Sequence, residues 1–200
     1  MLATAAKGHA AMKSKLLPVV VLFLWFGAHG SSAQDGSLII AIRAEVAQIN
    51  GSLSTHTKRT KIVDGISLEG TEANYYALGD DLKKIAARMY GETYKASVEL
   101  YYKDDMLIFA YCRFHRYDTQ IGLPKPPKIV RSEEKRLYFS NGKLAKFLIG
   151  KIEVKADDGR WREAETEIAD LARKLQSEFA SKASEGNGQF LRIAGGLRRV

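Results

Sequence analysis

The sequence predicts a single α+β domain with an N-terminal helix, an antiparallel meander sheet of five or six strands, and a C-terminal helix packed on that sheet. Apolar residues recur at helical spacing after residue 35 and again after residue 159. Between these segments, short aromatic and aliphatic runs are separated by Gly, Asp and Asn turns. Strands joined by such short turns pair antiparallel, so the middle of the chain is predicted to form a meander.

The first 33 residues are predicted to be a signal peptide and not part of this domain. A basic stretch at 12–15 precedes an apolar run at 16–28, which is shorter than the about 20 residues that span a bilayer. Small residues at Ser31 and Ala33 favour cleavage after Ala33. The alternative is an uncleaved membrane anchor. We expect a periplasmic or secreted protein with no stable membrane insertion after cleavage.

The segment 34–183 is long enough to bury one hydrophobic core and is predicted to be the single α+β domain. Residues 184–200 have glycine pairs, scattered charge and no periodicity, which predicts a flexible basic tail. Cleavage would remove three lysines and no acid, and would lower the formal net charge from +8 to +5. For an exported protein this charge favours an unknown protein or an envelope polyanion as partner, and not a nucleic acid.

The N-terminal helix is predicted from four apolar residues at spacings of four, three and four: Ile42, Val46, Ile49 and Leu53. Asp35 or Ser37 can cap its beginning, and Gly51 is a possible stop. The next segment, 54–65 (STHTKRTKIVDG), is polar and basic and closes with an Asp-Gly turn signal. We interpret it as a connector.

The strand patterns differ in how many faces they bury. Apolar and polar residues alternate in 95–102 (KASVELYY), which predicts one inward face. Apolar residues occupy both sides of 107–112 (LIFAYC), so this strand is predicted to be central and covered on both faces. The Asn141-Gly142 step predicts a tight hairpin. Segment 82–90 fits both a helix and an edge strand, and we predict the strand because a recurring hairpin, described below, requires it.

The C-terminal helix is predicted to follow Asp157, Asp158 and Gly159. Its apolar residues form a narrow stripe: Trp161, Ala164, Ile168, Leu171, Leu175 and Phe179. We expect this stripe to pack on the sheet. A coiled-coil contact with a partner is the alternative.

Three stretches can be superposed: 75–82 (YYALGDDL), 101–107 (YYKDDML) and 138–144 (YFSNGKL). Each has an aromatic pair, a polar turn and a Leu that opens the next strand, and such hairpins bury one sheet cooperatively. With their flanks, over 69–148, they resemble a family of small exported bacterial proteins, mostly uncharacterised, that repeat a YF-x-NGKL hairpin. They also distantly resemble the nexus-type repeats of membrane-occupation proteins. The resemblance implies an exported sheet domain flanked by helices and carries no activity; Asp104-Asp105-Met106 departs from it, because a Gly is typical there.

The sequence predicts no catalytic residue, no metal site and no cofactor. Residues 34–200 hold two histidines, His56 and His115, and no zinc-binding or dithiol motif. Cys112 is the single cysteine, and its separation of three residues from His115 places the two on opposite faces of a strand. The acidic pairs lie side by side near turns and strand starts, whereas glycoside hydrolysis needs two acids facing across a cleft: Asp80-Asp81, Asp104-Asp105 and Glu133-Glu134.

The candidate binding residues lie where the regular pattern ends. In CRFHRYDTQIGLPKPPK, Arg113, His115 and Tyr117 are predicted to share one face, just before a proline-stiffened loop. Such loops and such residue types are typical of contact surfaces. The leading hypothesis is therefore a non-enzymatic exported binding or interaction protein of the bacterial envelope. The alternatives are a small hydrolase that uses Cys112 or the acidic turns, and a self-associating structural envelope protein.

Overall fold

The computed structural model describes the backbone of residues 31–194 and the side chains of residues 36–180. Contacts group the described residues from 32 onward into one compact unit. The elements follow in chain order: α1 (Ser31–Gly51), a 3-10 turn (Leu53–Thr55), β1 (Thr57–Val63), β2 (Thr71–Leu78), β3 (Asp81–Gly91), β4 (Tyr94–Lys103), β5 (Met106–Tyr117), β6 (Ile129–Ser140), β7 (Lys143–Ile149), β8 (Ile152–Val154) and α2 (Gly159–Ala194). The strands form one antiparallel sheet in the order β1 to β8.

The antiparallel meander with a helix at each end is confirmed, but five or six strands is too few, because the described sheet has eight. The two strands that sequence reasoning missed are the edges, β1 and β8. The connector prediction for 54–65 is wrong, since β1 fills most of it and pairs with β2. Its first four residues are exposed, so it has no apolar alternation to reveal it. Lysines on an edge strand hinder pairing with other chains.

Segment 82–90 lies within β3, so the prediction of a strand is confirmed, but its placement at an edge is wrong, because β3 lies inside the sheet. Both neighbours, β2 and β4, pair with it along most of its length, and these ladder hydrogen bonds decide against the helical pattern. The predicted caps of α1 are wrong, because the helix begins at Ser31 and both Asp35 and Ser37 lie inside it. The predicted stop is confirmed at Gly51.

Two predicted segments fall at the limits of the described chain. The signal-peptide prediction, 1–33, concerns residues of which 1–30 lie outside the described part. The tail prediction, 184–200, begins within α2, which continues to Ala194, and its last six residues lie outside the described part.

The sheet is covered on both faces by apolar residues. The stripe of α2 packs on one face, with Leu175 fully buried against strand residues that include Tyr75, Leu100 and Leu137. This confirms packing on the sheet as the role of the stripe. On the other face, Ile39, Ile42 and Ile49 of α1 cluster with three aromatic rings: Tyr101, Phe109 and Tyr138.

Strand β5 is buried on both sides, as its sequence predicts. Ala110 and Cys112 face the α2 side, whereas Phe109 and Tyr111 face the α1 side. The hairpin at Asn141-Gly142 is also confirmed, with both residues at positive φ (50° and 75°). Five hairpins have two-residue turns, and those after β2, β4 and β6 are each followed by a register shift on the next strand, at Lys83, Ile108 and Ala145. Such bulges increase the local twist of a sheet.

Candidate functional site

Helix α1 covers only the part of its sheet face that lies near the hairpin turns. Its cluster ends at Tyr101 and Tyr111, whereas β4, β5 and β6 continue beyond them. Side chains alternate along a strand, so the residues two and four positions away share this face. The uncovered region includes charged residues that are already paired, among them Glu134, which is directly opposite Arg113. Five other polar residues of this region, all exposed or half-buried, are called the open face: Lys95, Ser97, Arg113, His115 and Ser132.

Cross-strand pairing brings the open face together. Lys95 is directly opposite His115, and Ser97 is opposite Arg113. On the other side of β5, His115 is opposite Ser132, and its Nδ1 lies 3.1 Å from the Ser132 hydroxyl. The structure therefore brings two of the three predicted site residues, Arg113 and His115, into one polar cluster.

The two cations of the open face contact aromatic rings. The Arg113 guanidinium lies 5.6 Å from the centre of the Tyr111 ring, and Lys95 Nζ lies 5.9 Å from that of Tyr90. Neither cation lies within 4.0 Å of a carboxylate in the described part of the chain, although other basic residues on this side are paired, such as Lys84 and Arg136. Lys95 and Arg113 therefore present positive charge to solvent.

Tyr117, the third predicted site residue, is the last residue of β5. The β5–β6 register shifts between Arg116 and Tyr117, so that Tyr117 pairs with Ile129. Its backbone N–H donates to Thr93 O at 2.9 Å, which ties the end of β5 to the β3–β4 turn.

The proline loop that follows is closed by a pair of contacts. Asp118 N–H donates to Lys128 O at 3.0 Å, and Lys128 N–H donates to the Asp118 carboxylate at 2.8 Å. The second bond holds the pKa of Asp118 below its usual value. Ile121 N–H donates to Glu92 O at 2.8 Å. The loop is thus fastened to the turn before β4.

A polar cluster marks the boundary between α1 and the open face. Lys84 is 7% exposed, and its Nζ lies 2.9 Å from both Glu99 Oε2 and Asn50 Oδ1. The Tyr101 hydroxyl donates to Glu99 at 2.5 Å. Burial opposes ionisation of Glu99, but the hydrogen bonds from Tyr101 and Lys84 hold its pKa below the usual value. This cluster anchors the end of α1, and the Glu99 carboxylate is engaged by Lys84 and Tyr101.

A groove of about 450 Å³ lies on the opposite side of the same strands, beneath α2. Its apolar lining comes from three strands and the helix and includes Met89, Val98, Cys112, Phe114, Ile168 and Leu171. Tyr94 stacks on Phe114 with ring centres 5.7 Å apart. The Tyr94 ring also packs where a Cβ at Gly91 would lie, so a glycine is required at that turn.

Charged residues line the mouth of this groove. Glu133 lies 2.6 Å from Arg131 and 3.4 Å from Lys135, so one carboxylate serves two cations. Glu167 of α2 is on the opposite wall. The interactions with Arg131 and Lys135 outweigh burial and lower the pKa of Glu133.

Cys112 and His115 lie on opposite faces of β5, as their spacing predicts. Cys112 belongs to the α2 side, and His115 contacts Ser132 on the open face. Burial raises the pKa of the Cys112 thiol to about 12. A thiol must ionise to act as a nucleophile, so only a very small fraction of this thiol is in the reactive form at neutral pH and its alkylation is slow.

The described residues 36–180 contain no group of three or more His, Cys, Asp or Glu side chains that could hold a metal ion. In the same part of the chain, no helix has the length and apolar character that a membrane crossing needs. The fold and these two surfaces define a class: an eight-stranded antiparallel meander between two helices, with a basic open face and an apolar groove. No protein-family model, no curated protein and no solved structure matches the chain.

Sequence reasoning missed Lys95 and the groove. Lys95 follows the alternation of β4 and could have been placed beside His115 only with the strand register known. The groove needs α2 positioned over β3 to β5, and no local pattern records that placement.

Proposed function

We propose that this chain is an exported, non-enzymatic binding protein of the bacterial envelope and that its open face binds a polyanion. The observation that carries this proposal is the pairing of Lys95 and Arg113 with aromatic rings in place of carboxylates. Cations without a carboxylate partner keep their attraction for an external anion. A ring beneath each cation orients it without neutralising its charge.

The surroundings support an anionic ligand over a cationic one. Glu99 is engaged by Lys84 and Tyr101, and Glu134 is engaged by Arg136 and Tyr111, so neither acid is free to attract a cation. The Ser97 hydroxyl lies opposite Arg113, the Ser132 hydroxyl lies opposite His115, and both can donate hydrogen bonds to anionic oxygens. The open face therefore offers charge and neutral donors together.

The test measures binding of dextran sulfate, a soluble polyanion, by the Lys95→Glu/Arg113→Glu variant. The control is Lys143→Glu/Lys151→Glu, which makes the same charge change at exposed positions outside the open face. We expect the open-face variant to bind about tenfold or more weakly, equivalent to about 1.4 kcal/mol, and the control to bind far more like the parent protein. Binding of the parent should weaken with salt, because exposed charges are screened. Equal losses in the two variants would mean that only the net charge matters, and would refute the open face as the site.

The two alternatives have less support. A hydrolase based on Cys112 lacks an ionisable thiol at neutral pH and a histidine on the same face. Self-association through the stripe of α2 lacks a free surface, because Ile168 and Leu175 are buried against the sheet. We therefore keep polyanion binding as the proposed function.

A further inference from the structure

We propose a second binding site, the groove beneath α2, that takes a single-chain anionic amphiphile, with its apolar chain along the groove and its anionic group at the basic mouth. The apolar lining of the site lies on the side of the sheet opposite the open face, although Ser97 and Arg113 of the open face also border the groove. This inference does not rest on the proposed function.

The body of the groove suits an apolar chain. Its volume of about 450 Å³ falls within the range of about 300–1,000 Å³ that is typical of small-molecule sites. The lining residues Val98, Cys112 and Ile168 carry no charge, and the Cys112 thiol stays protonated because of burial. A hydrocarbon chain placed there replaces water on these surfaces, and each buried methylene contributes about 0.8 kcal/mol.

The mouth of the groove suits an anionic group. Arg116 and Arg131 are directly opposite each other on β5 and β6. Arg116 lies two and four residues beyond Phe114 and Cys112, so it is on the groove side of the sheet, opposite the lining residue Arg131 and not itself among the lining residues. Like charges directly opposite on neighbouring strands are destabilising. An anion between them relieves that repulsion.

The carboxylate already at the mouth does not neutralise this cluster. Glu133 contacts Arg131 and Lys135, and no carboxylate in the described part of the chain lies within 4.0 Å of Arg116. With Glu167 on the helix wall, the mouth therefore has three cations, Arg116, Arg131 and Lys135, and two carboxylates. This surplus, next to an apolar groove, selects an amphiphile with a negative end over a neutral one and over a small anion.

Calorimetry with laurate, dodecanol and acetate separates the two parts of the site. Laurate is used below its micellar concentration. We expect laurate to bind about tenfold or more tightly than either dodecanol or acetate, because it alone fills both parts. Equal affinity for laurate and dodecanol would refute the role of the basic mouth, and equal affinity for laurate and acetate would refute the role of the groove.

Two variants with matched controls locate the binding. Ala96→Trp fills the groove from a half-buried position, and Ala47→Trp places the same ring on the exposed side of α1. Arg116→Gln/Arg131→Gln neutralises the mouth, and Lys143→Gln/Lys151→Gln removes two exposed charges elsewhere. We expect the first variant of each pair to bind laurate about tenfold more weakly, and each control to bind like the parent protein. Unchanged laurate binding by a folded Ala96→Trp protein would overturn the proposal.

Cys112 supplies an independent readout because it is the single cysteine and lines the groove. Saturating laurate should slow its alkylation by N-ethylmaleimide in the parent protein, whereas acetate should have no effect. Laurate should not protect the thiol in the neutralised-mouth variant at the same concentration. If a short leucine-rich peptide protects Cys112 and laurate does not, the groove binds peptides and the proposal is wrong. If the Ala96→Trp variant loses laurate binding but keeps dextran sulfate binding, the two sites are confirmed as separate.

Discussion

Lys84 and Glu99 lie diagonally across neighbouring strands, with Lys84 Nζ 2.9 Å from Glu99 Oε2, beneath the end of α1. Asn50 Oδ1 of α1 accepts from the same ammonium and lies 3.1 Å from the Tyr101 hydroxyl oxygen. This arrangement ties the helix to the sheet by polar contacts at one end, while the cluster around Ile42 and Phe109 ties it by apolar contacts at the other.

The first prediction concerns this ammonium. Lys84→Met leaves Glu99 half-buried with one donor fewer, and we expect a loss of about 2 kcal/mol in the free energy of unfolding. Urea unfolding measures the change. The control is Lys103→Met, whose exposed ion pair with Glu45 is screened by water, so its loss should be much smaller. Equal losses would mean that burial of Lys84 is unimportant.

The second prediction compares two adjacent tyrosines. The hydroxyl of Tyr102 is buried and has no hydrogen-bond partner among the described residues, whereas that of Tyr101 contacts Glu99 and Asn50. A buried hydroxyl without a partner costs about 1–3 kcal/mol. We expect Tyr102→Phe to leave stability unchanged or raise it, and Tyr101→Phe to lower it by about 1 kcal/mol. A clear loss in Tyr102→Phe, measured by urea unfolding, would show that this hydroxyl has a partner.

The third prediction concerns alkaline pH. Burial, and then the charge of Glu178, raise the pKa of Tyr75 from the ordinary 10.0 to about 12. Between these values the unfolded chain has lost the proton and the folded chain retains it, so stability falls as pH rises from about 10 to 12. Tyr75→Phe should flatten this decline, while Tyr76→Phe on the other face of β2 should not. Unfolding in urea at pH 9 and pH 11 measures the difference, and parallel declines in all three proteins would contradict the assignment.

The fourth prediction concerns the turn after β4. Asp104 and Asp105 both have positive φ, 51° and 60°, a region that costs about 1–2 kcal/mol for most residues and is easier for Asp and Asn. We expect Asp105→Gly to raise the free energy of unfolding by about 0.5–1 kcal/mol, since glycine adopts this conformation without strain. The control, Ser140→Gly, places glycine at the last position of β6 and should lower stability. A loss in both variants would indicate that the Asp105 side chain stabilises the turn.

The candidate site shows how far sequence reasoning reaches. The alternation along 109–115 correctly placed Cys112 and His115 on opposite faces, because the period of a strand is a local property. It also grouped Arg113 with His115. Lys95 was not included, because its neighbours depend on the register between β4 and β5, which is set by the Asp104-Asp105 turn and the bulge at Ile108.

By itself, the sequence determined the meander, the helices at its ends, the strand buried on both faces and the hairpin at Asn141-Gly142. These features follow from periodicity and turn chemistry, which act over a few residues. Only the tertiary structure decided that β1 and β8 are strands. An exposed edge strand is held by pairing with its neighbour and does not require an apolar face, so its sequence lacks the apolar alternation that predicts a strand. It also decided how far each helix covers the sheet. That coverage leaves the open face beyond α1 and the groove beneath α2, because a helix can shield only the strand length that its own apolar stripe contacts.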